Sequence, residues 1–592
     1  MKDFFKFMFA TVAGIVVSCV LFFFIGILWL FSMLSSSESE THLQDNSVMM
    51  LDLRGDLAER SLDSSLEFLM GDTYTVYGLD DILASIQKAK ESDQIQGIYL
   101  QADLLTAGFA SLKEIRDALL DFKESGKFVV AYADTYTQGL YYLASAADKI
   151  LLNPHGMLEW RGLASAPIFF KEMLDKIGVE MQVFKVGTYK SAVEPYIATE
   201  MSDANREQVN AFLTSIWGEI TQDVAASRDL TTEALNTAAD QMMLFRPAEE
   251  SVRCGLVDTL VYKNDVRNYL KGLAGIDEDD DLPVVGLKDM INVKKNRPKD
   301  KSGNIIAVYY AEGEIVNDAI ASPLSGTETV INGTEVIKDL RELKEDEDVK
   351  AVVLRVNSPG GSAYASEQIW YAINELRKEK PVIVSMGDYA ASGGYYISCN
   401  ADTIVAEPTT LTGSIGIFGL VPNVKGLTDK LGLDFDVVKT NEYADFGMMG
   451  RPLNAGEKAM MQMNVNQGYD LFLTRCAEGR GIEKEELDKI AQGRVWTGSK
   501  AKELGLVDEL GGIDRALEIA IAKAGIDAYT VMSYPEKPGL FDSFTNFRPD
   551  NYIRSLLLKS CVGEWYKPIS NLKELNQCSR IQARLPFELN IE

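Results

Sequence analysis

Two stretches of this chain carry the same hydrophobic rhythm. Apolar runs without alternation, GIYLQA from Gly97 and AVVLRVN from Ala351, are each followed by a segment of helical period, SLKEIRDALLDFKESG and ASEQIWYAINELRKEK. A second apolar run then closes each unit, FVVAYA and VIVSMG. A strand that is apolar throughout is buried on both faces, as in a parallel sheet covered by helices. Strand, helix, strand in this order predicts βαβ units and an α/β fold. The strand-like VMMLDLRG from Val48 opens the first stretch and IIAVYYAEGEI from Ile305 the second. The amino terminus differs. No charge occurs from Phe7 to Ser37, enough residues to cross a hydrocarbon core of about 30 Å at about 1.5 Å per residue. The run is longer than the apolar region of a cleaved signal peptide and ends in SMLSSSESE, so it predicts a retained transmembrane helix within residues 1–38. Lys2 and Lys6 precede it and Glu38 and Glu40 follow. Positive flanks stay cytoplasmic, which places the remainder of the chain outside the cytoplasm.

The shared rhythm is an internal repeat. VVAYADTYTQGLYYLASAADKILLNP from Val129 matches IVSMGDYAASGGYYISCNADTIVAEP from Ile383, with Asp134 on Asp388, Gly139 on Gly393, Tyr141 on Tyr395 and Asp148 on Asp402. Each pair lies 254 positions apart. Further on, CGLVDTL at Cys254 matches LGLVDEL at Leu504 with an offset of 250. Two tandem domains are expected, 46–290 and 300–540. Between them GIDEDDDLP and KKNRPKDKSGN read as an exposed connection. The tail, 541–592, holds aromatic and apolar residues with no clear period, and its pattern assigns it no role.

The 592 residues carry a net charge of −28, a field that repels nucleic acid and argues against DNA or RNA as a partner. Of six cysteines, Cys19 lies in the apolar amino-terminal run and the other five are scattered without a C-x-x-C pair, so a metal site is not expected. An oxidising compartment would permit a Cys561–Cys578 disulfide.

The repeat also divides a set of chemically active residues. Ser392, in DYAASGGYYIS, falls opposite Gln138, and Lys190, in VFKVGTYKSAVEPY, falls opposite Ala444. One copy has the serine without the lysine; the other has the lysine without the serine. The loop NSPGGS follows the strand AVVLRV, and its Pro359, Gly360 and Gly361 stand where the first copy has Leu105, Thr106 and Ala107. Ser392 follows a strand and opens a helical stretch, where backbone N–H groups and the helix dipole favour developing negative charge. Gly393 and Gly394 admit a close substrate backbone, and the loop of Gly360 and Gly361 can aim an N–H at an oxyanion. A serine nucleophile needs a base. The chain has two histidines, His42 after the amino-terminal run and His155 in an expected turn of the copy without the serine, and the G-x-S-x-G elbow is missing. Lysine can serve instead where burial keeps it neutral. Neither G-x-x-x-x-G-K-[ST] nor H-E-x-x-H occurs, so neither nucleotide nor metal chemistry is indicated.

GTYKSAVEP, RVNSPGGS, GDYAASGGYYIS, TLTGSIGIFG and GRVWTGSKAKELGLVDELGG resemble the signal peptide peptidase A (protease IV) family in its long, tandem form, from near the amino terminus to about residue 535. The resemblance implies a Clp-protease/crotonase-like fold in each copy. It implies a Ser–Lys dyad with Ser392 as nucleophile and Lys190 as general base, Ser414 as the second serine that hydrogen-bonds the lysine, and no cofactor. It further implies a homotetramer on the bacterial inner (plasma) membrane that degrades signal peptides and other apolar peptides. Two other readings share parts of this pattern: a crotonase-type enzyme acting on an acyl-thioester, because the fold is common to both, and a scaffold that binds membrane-emerging peptides without cleaving them. Extracytoplasmic placement and the divided serine and lysine argue against the first; loss of turnover on loss of Ser392 would exclude the second.

Overall fold

The computed structural model describes residues 41–61, 76–294, 302–318, 329–537 and 581–585, with isolated positions between 4 and 26. Most of the expected transmembrane helix, and the cysteines Cys561 and Cys578, lie outside the described residues. Among the described residues no helix is long and apolar enough to cross a membrane.

Each half is built on a sheet that is parallel throughout in the first and parallel in the second except for the antiparallel edge strand Val495–Thr497. In the first, the strands run in the order Val76–Gly78, Ser47–Ala58, Ile95–Thr106, Phe128–Tyr136, Lys149–Leu158 and Thr259–Leu260, and Val284–Gly286 also pairs with Ser47–Ala58. In the second the order is Val495–Thr497, Leu411–Gly413, Val382–Ala391, Val349–Ser358, Ile305–Glu312 and Thr530–Tyr534, with Thr403–Ala406 branching from Val382–Ala391. The continuous apolar runs form the central strands because both faces are covered. In the first half Ile82, Leu112, Ile115 and Phe212, on helices Leu79–Glu91, Phe109–Lys123 and Asp203–Arg228, pack on one face. Val266 and Leu270, on the helix Lys263–Ala274, pack on the other.

The repeat recurs in individual bonds. Tyr141 Oη donates to Leu256 O at 2.8 Å and Tyr395 Oη to Leu506 O at 2.9 Å. Asp258 accepts from Ile150 N at 2.7 Å and Asp508 from Ile404 N at 2.8 Å. Both carboxylates also pair with an arginine at the end of a 26-residue helix, Arg228 of Asp203–Arg228 and Arg480 of Ala455–Arg480. The fold is therefore α/β with two repeated sheets.

The halves dock through a buried ionic cluster. Arg355, on a central strand of the second half, donates to Glu59 Oε2 at 2.7 Å and Glu114 Oε1 at 2.6 Å, both from the first half. Asp388 accepts from Ala110 N (3.0 Å), Ser111 N (3.1 Å) and Ser111 Oγ (2.6 Å), at the start of the helix Phe109–Lys123. A third, mixed sheet joins Val330–Asn332, Glu314–Val316, Gly360–Ser362, Ile581–Arg584 and Phe418–Asn423 to Glu180–Lys185 of the first half.

Candidate active site

Lys190 belongs to the first half in sequence and to the second in space. The strand Glu180–Lys185 runs antiparallel to Phe418–Asn423, with Lys185 opposite Phe418 and Glu180 opposite Asn423. Beyond it, Val186 N–H donates to Ile417 O at 3.3 Å and Tyr189 N–H to Gln492 O at 3.0 Å. Those bonds draw the next residue inside the second half. Gly493 makes the room: its φ is +80°, and a Cβ there would lie 2.6 Å from the Lys190 Cβ. Gln208, on the helix Asp203–Arg228, donates to Tyr189 O (3.1 Å) and Ser191 Oγ (2.9 Å) and accepts from Val495 N (3.2 Å), so one amide ties the lysine loop to the second half. Gly493 and Gln208 carried no role in the sequence reading, since one glycine in QGRVW and one polar residue on a helix are unremarkable locally.

Ser392 ends the strand Val382–Ala391 and precedes the short helix Gly393–Ser398. Its backbone is held at φ +54°, ψ −111°, with its N–H bonded to Gly413 O at 2.8 Å. Such a conformation costs a non-glycine residue about 1–3 kcal/mol and persists where surrounding structure enforces it. Its Oγ lies 2.8 Å from Lys190 Nζ. Nζ also reaches Ser414 Oγ at 3.1 Å and Ser414 O at 3.3 Å. Lys190, Ser392 and Ser414 are all 0% exposed. Ser414 is likewise at positive φ, +49°, with its N–H on Arg494 O at 2.7 Å.

Burial holds the Lys190 ammonium well below its ordinary pKa. Nζ sits 6.0 Å from the Phe418 ring, and Val193, Ala192 and Leu420 pack with that ring. A charged amine among such groups would lose its hydration without a compensating charge, so the neutral form is favoured. A neutral amine 2.8 Å from a hydroxyl can take that hydroxyl's proton.

The glycine loop faces the same point. Gly360 and Gly361 have φ of +101° and +155°, and the Gly360 N–H is taken by Ser358 Oγ at 3.1 Å. That leaves the N–H groups of Gly393 and Gly361 as candidate oxyanion donors. Between Gly360–Ser362 and Phe418–Asn423 lies a slot one strand wide, and Ile581–Arg584 lies in it, antiparallel to both. A Cβ on Gly360 would overlap the Ala583 carbonyl oxygen, and one on Gly393 would lie 3.1 Å from it. The tail thus contributes a strand where its pattern had suggested none; four residues are too few to show a period.

The corresponding place in the first half is plugged. Gln138, opposite Ser392, accepts from Arg161 N (3.0 Å) and Gly162 N (2.9 Å) and donates to Gly162 O (3.1 Å). Trp160, which the 254-residue offset places opposite Ser414, is fully buried and donates to Leu235 O at 2.9 Å. His155, expected in a turn, is on the strand Lys149–Leu158 instead, exposed and edge-on to Tyr262.

Comparison with known proteins finds relatives of both halves. The model of peptidase family S49 matches residues 121–277 and 374–527, one segment in each half, and the Clp protease model matches 324–408. Protease 4 of Haemophilus influenzae is 36% identical over 501 residues, 82% of this chain and 80% of that one. Protease 4 of Salmonella typhi is 39% identical over 475 residues, covering 78% and 75%, and the chloroplastic serine protease SPPA of Arabidopsis thaliana is 32% identical over 486 residues, covering 82% and 70%. A family model matched in both halves, with relatives matched at this level along most of the chain, places it in peptidase family S49, as a serine peptidase of the protease IV kind.

Proposed function

We propose that this peptidase is a single-pass, membrane-anchored endopeptidase of the bacterial inner membrane, facing away from the cytoplasm, that degrades cleaved signal peptides and other apolar peptides with a Ser392–Lys190 dyad. The observation that carries the reading is a fully buried lysine 2.8 Å from a serine hydroxyl, without a carboxylate partner among the described residues. Neutral Lys190 takes the Ser392 proton as Oγ attacks a peptide carbonyl. Gly393 and Gly361 N–H groups hold the oxyanion, and Ser414 orients the amine. Lys190 then protonates the leaving nitrogen, and water hydrolyses the acyl-enzyme. Extended peptides suit the one-strand slot, where main-chain bonds from both sides supply affinity without regard to sequence. Phe418, on one wall of the slot, packs with Leu420 and Tyr196, an apolar setting that favours apolar side chains. The domain limits 46–290 and 300–540 follow the two sheets, and a homotetramer is supported by apolar groups exposed on the second half, Leu431, Leu433, Phe435 and Val438.

The test uses the full-length protein in detergent and an internally quenched apolar peptide. Ser392→Ala and Lys190→Ala are each expected to lower kcat by several orders of magnitude, and the double variant to be little worse than either, because the two act as a unit. Multiplying effects would refute the dyad.

A further inference from the structure

We propose that Ser358 is a positioning residue for the peptidase reaction, whose hydroxyl turns the glycine loop so that an N–H group, not a carbonyl, faces the oxyanion; this rests on the dyad reading above. Ser358 ends the strand Val349–Ser358 and is fully buried. Its Oγ donates to Gly313 O at 2.7 Å and accepts from Gly360 N at 3.1 Å. Its backbone packs on the helix that follows Ser392, where a Cβ on Gly394 would lie 2.7 Å from Ser358 O. The neighbouring Asn357 O accepts from Gly313 N at 2.9 Å, so both polar groups of Gly313 are held by the root of the loop.

The loop needs such a restraint. Gly360 and Gly361 have φ of +101° and +155°, where glycine peptides turn at little steric cost. Their shared peptide can present the Gly361 N–H, a donor to the oxyanion, or the Gly360 carbonyl, which would repel it. Holding the peptide before Gly360 removes one of the two rotations that exchange them. The Ser358 hydroxyl holds it in one sense only. A hydroxyl has one proton and acceptor lone pairs. The proton is committed to Gly313 O, so the side facing the loop is purely an acceptor. The Gly360 N–H bonds to it; with that peptide reversed, Pro359 O would meet lone pairs in a buried place and find no donor there. The repeat isolates the device. Val48 pairs with Gly97 and Ile306 with Ala351, which sets Gly55 against Gly313, and both have φ of +98°. The 254-residue offset sets Leu104 against Ser358, and Leu104 is 70% exposed. The half without the nucleophile keeps the turn and lacks the hydroxyl.

The test uses full-length protein in detergent, the quenched apolar peptide, and a trifluoromethyl ketone of the same sequence, which takes up the serine Oγ and leaves an oxyanion where the reaction would form one. Ser358→Ala is expected to lower kcat about 100-fold, the scale of losing one oxyanion donor, with KM little changed. The Ki of the ketone should rise by the factor by which kcat/KM falls. The pH at which kcat/KM rises should not move, because Lys190 is untouched. Ser358→Cys keeps the shape and offers a weaker acceptor, so its kcat should fall between the two, and it carries the test if the alanine variant melts below the assay temperature. Wild-type kcat in both variants overturns the proposal and leaves the dyad intact. A raised KM at unchanged kcat also overturns it, by making Ser358 a group that binds substrate and transition state alike. So does a lowered kcat with the ketone's Ki unchanged, or a shifted pH limb, which would move the action of Ser358 to the lysine. Wild type that turns over no peptide overturns the dyad reading itself.

Discussion

In the proposed dyad Lys190 can act as a base because nothing near it among the described residues compensates its charge. Its folded pKa lies well below the ordinary value, from burial alone, so between the two values the unfolded chain binds a proton that the folded chain does not. Stability must therefore rise with pH across that window. The penalty is absent above about pH 10.4, grows by about 1.4 kcal/mol for each pH unit below it, and levels off below the folded pKa. Lys190→Met, of similar length and without a proton to bind, is expected to be inactive yet to melt higher than wild type at pH 7. The difference should shrink as pH approaches 10, read from thermal unfolding in a buffer series. In wild type kcat/KM should rise with pH on a limb well below 10.4, and Ser414→Ala should weaken activity without abolishing it. A limb that vanishes in His155→Ala would contradict this assignment. The pairing was legible in the sequence because the repeat left a gap opposite each residue, Gln138 for the serine and Ala444 for the lysine.

At the scale of elements, strands converge on one ionic cluster. Arg355 is fully buried, and its two carboxylate partners hold its guanidinium charged. Glu114 joins a third element, since its Oε2 accepts from Ile513 N at 2.9 Å. Arg355→Met would leave Glu59 and Glu114 buried without a cation, a loss of about 3–5 kcal/mol. The expected result is a lower, broader melting transition and reduced peptidase activity, although Arg355 makes no bond to the dyad. Nearby, Glu312 accepts from Glu59 N at 3.1 Å, and its carboxyl is pushed up to about 7, first by burial and then by the Glu59 charge. A raised carboxyl pKa means stability is lost as pH climbs from about 4.5 through 7, so Glu312→Gln should stabilise at pH 8 and change little at pH 4. The parallel strands were legible from their unbroken apolar runs. The ionic cluster was not: AVVLRVN shows one arginine in such a run, and its partners lie 296 and 241 residues away. Nor was the crossing strand EMQVFK, whose partner begins at Phe418.

Across the whole molecule the repeat is used asymmetrically. The counterpart of Glu180–Lys185 in the second half is the segment 434–439. The first-half strand is paired, whereas Val438 is 98% exposed and Phe435 54%. If that face joins copies of the chain, Val438→Lys should lower the assembly mass in light scattering while sparing turnover per site, because each dyad is completed within one chain. The same division has a consequence in time. A chain is made from its amino terminus, and early domains fold first, at about 5–20 residues per second. Lys190 precedes Ser392 by 202 residues, so about 10–40 s separate the two at that rate, and Gly493, which cradles the lysine, comes later still. The first half emerges with its own site plugged by Gln138 and Trp160. A nascent chain therefore carries no complete serine–lysine pair while most of its length is still being made, and the proposed protease becomes a hazard to its neighbours only once the chain is nearly complete.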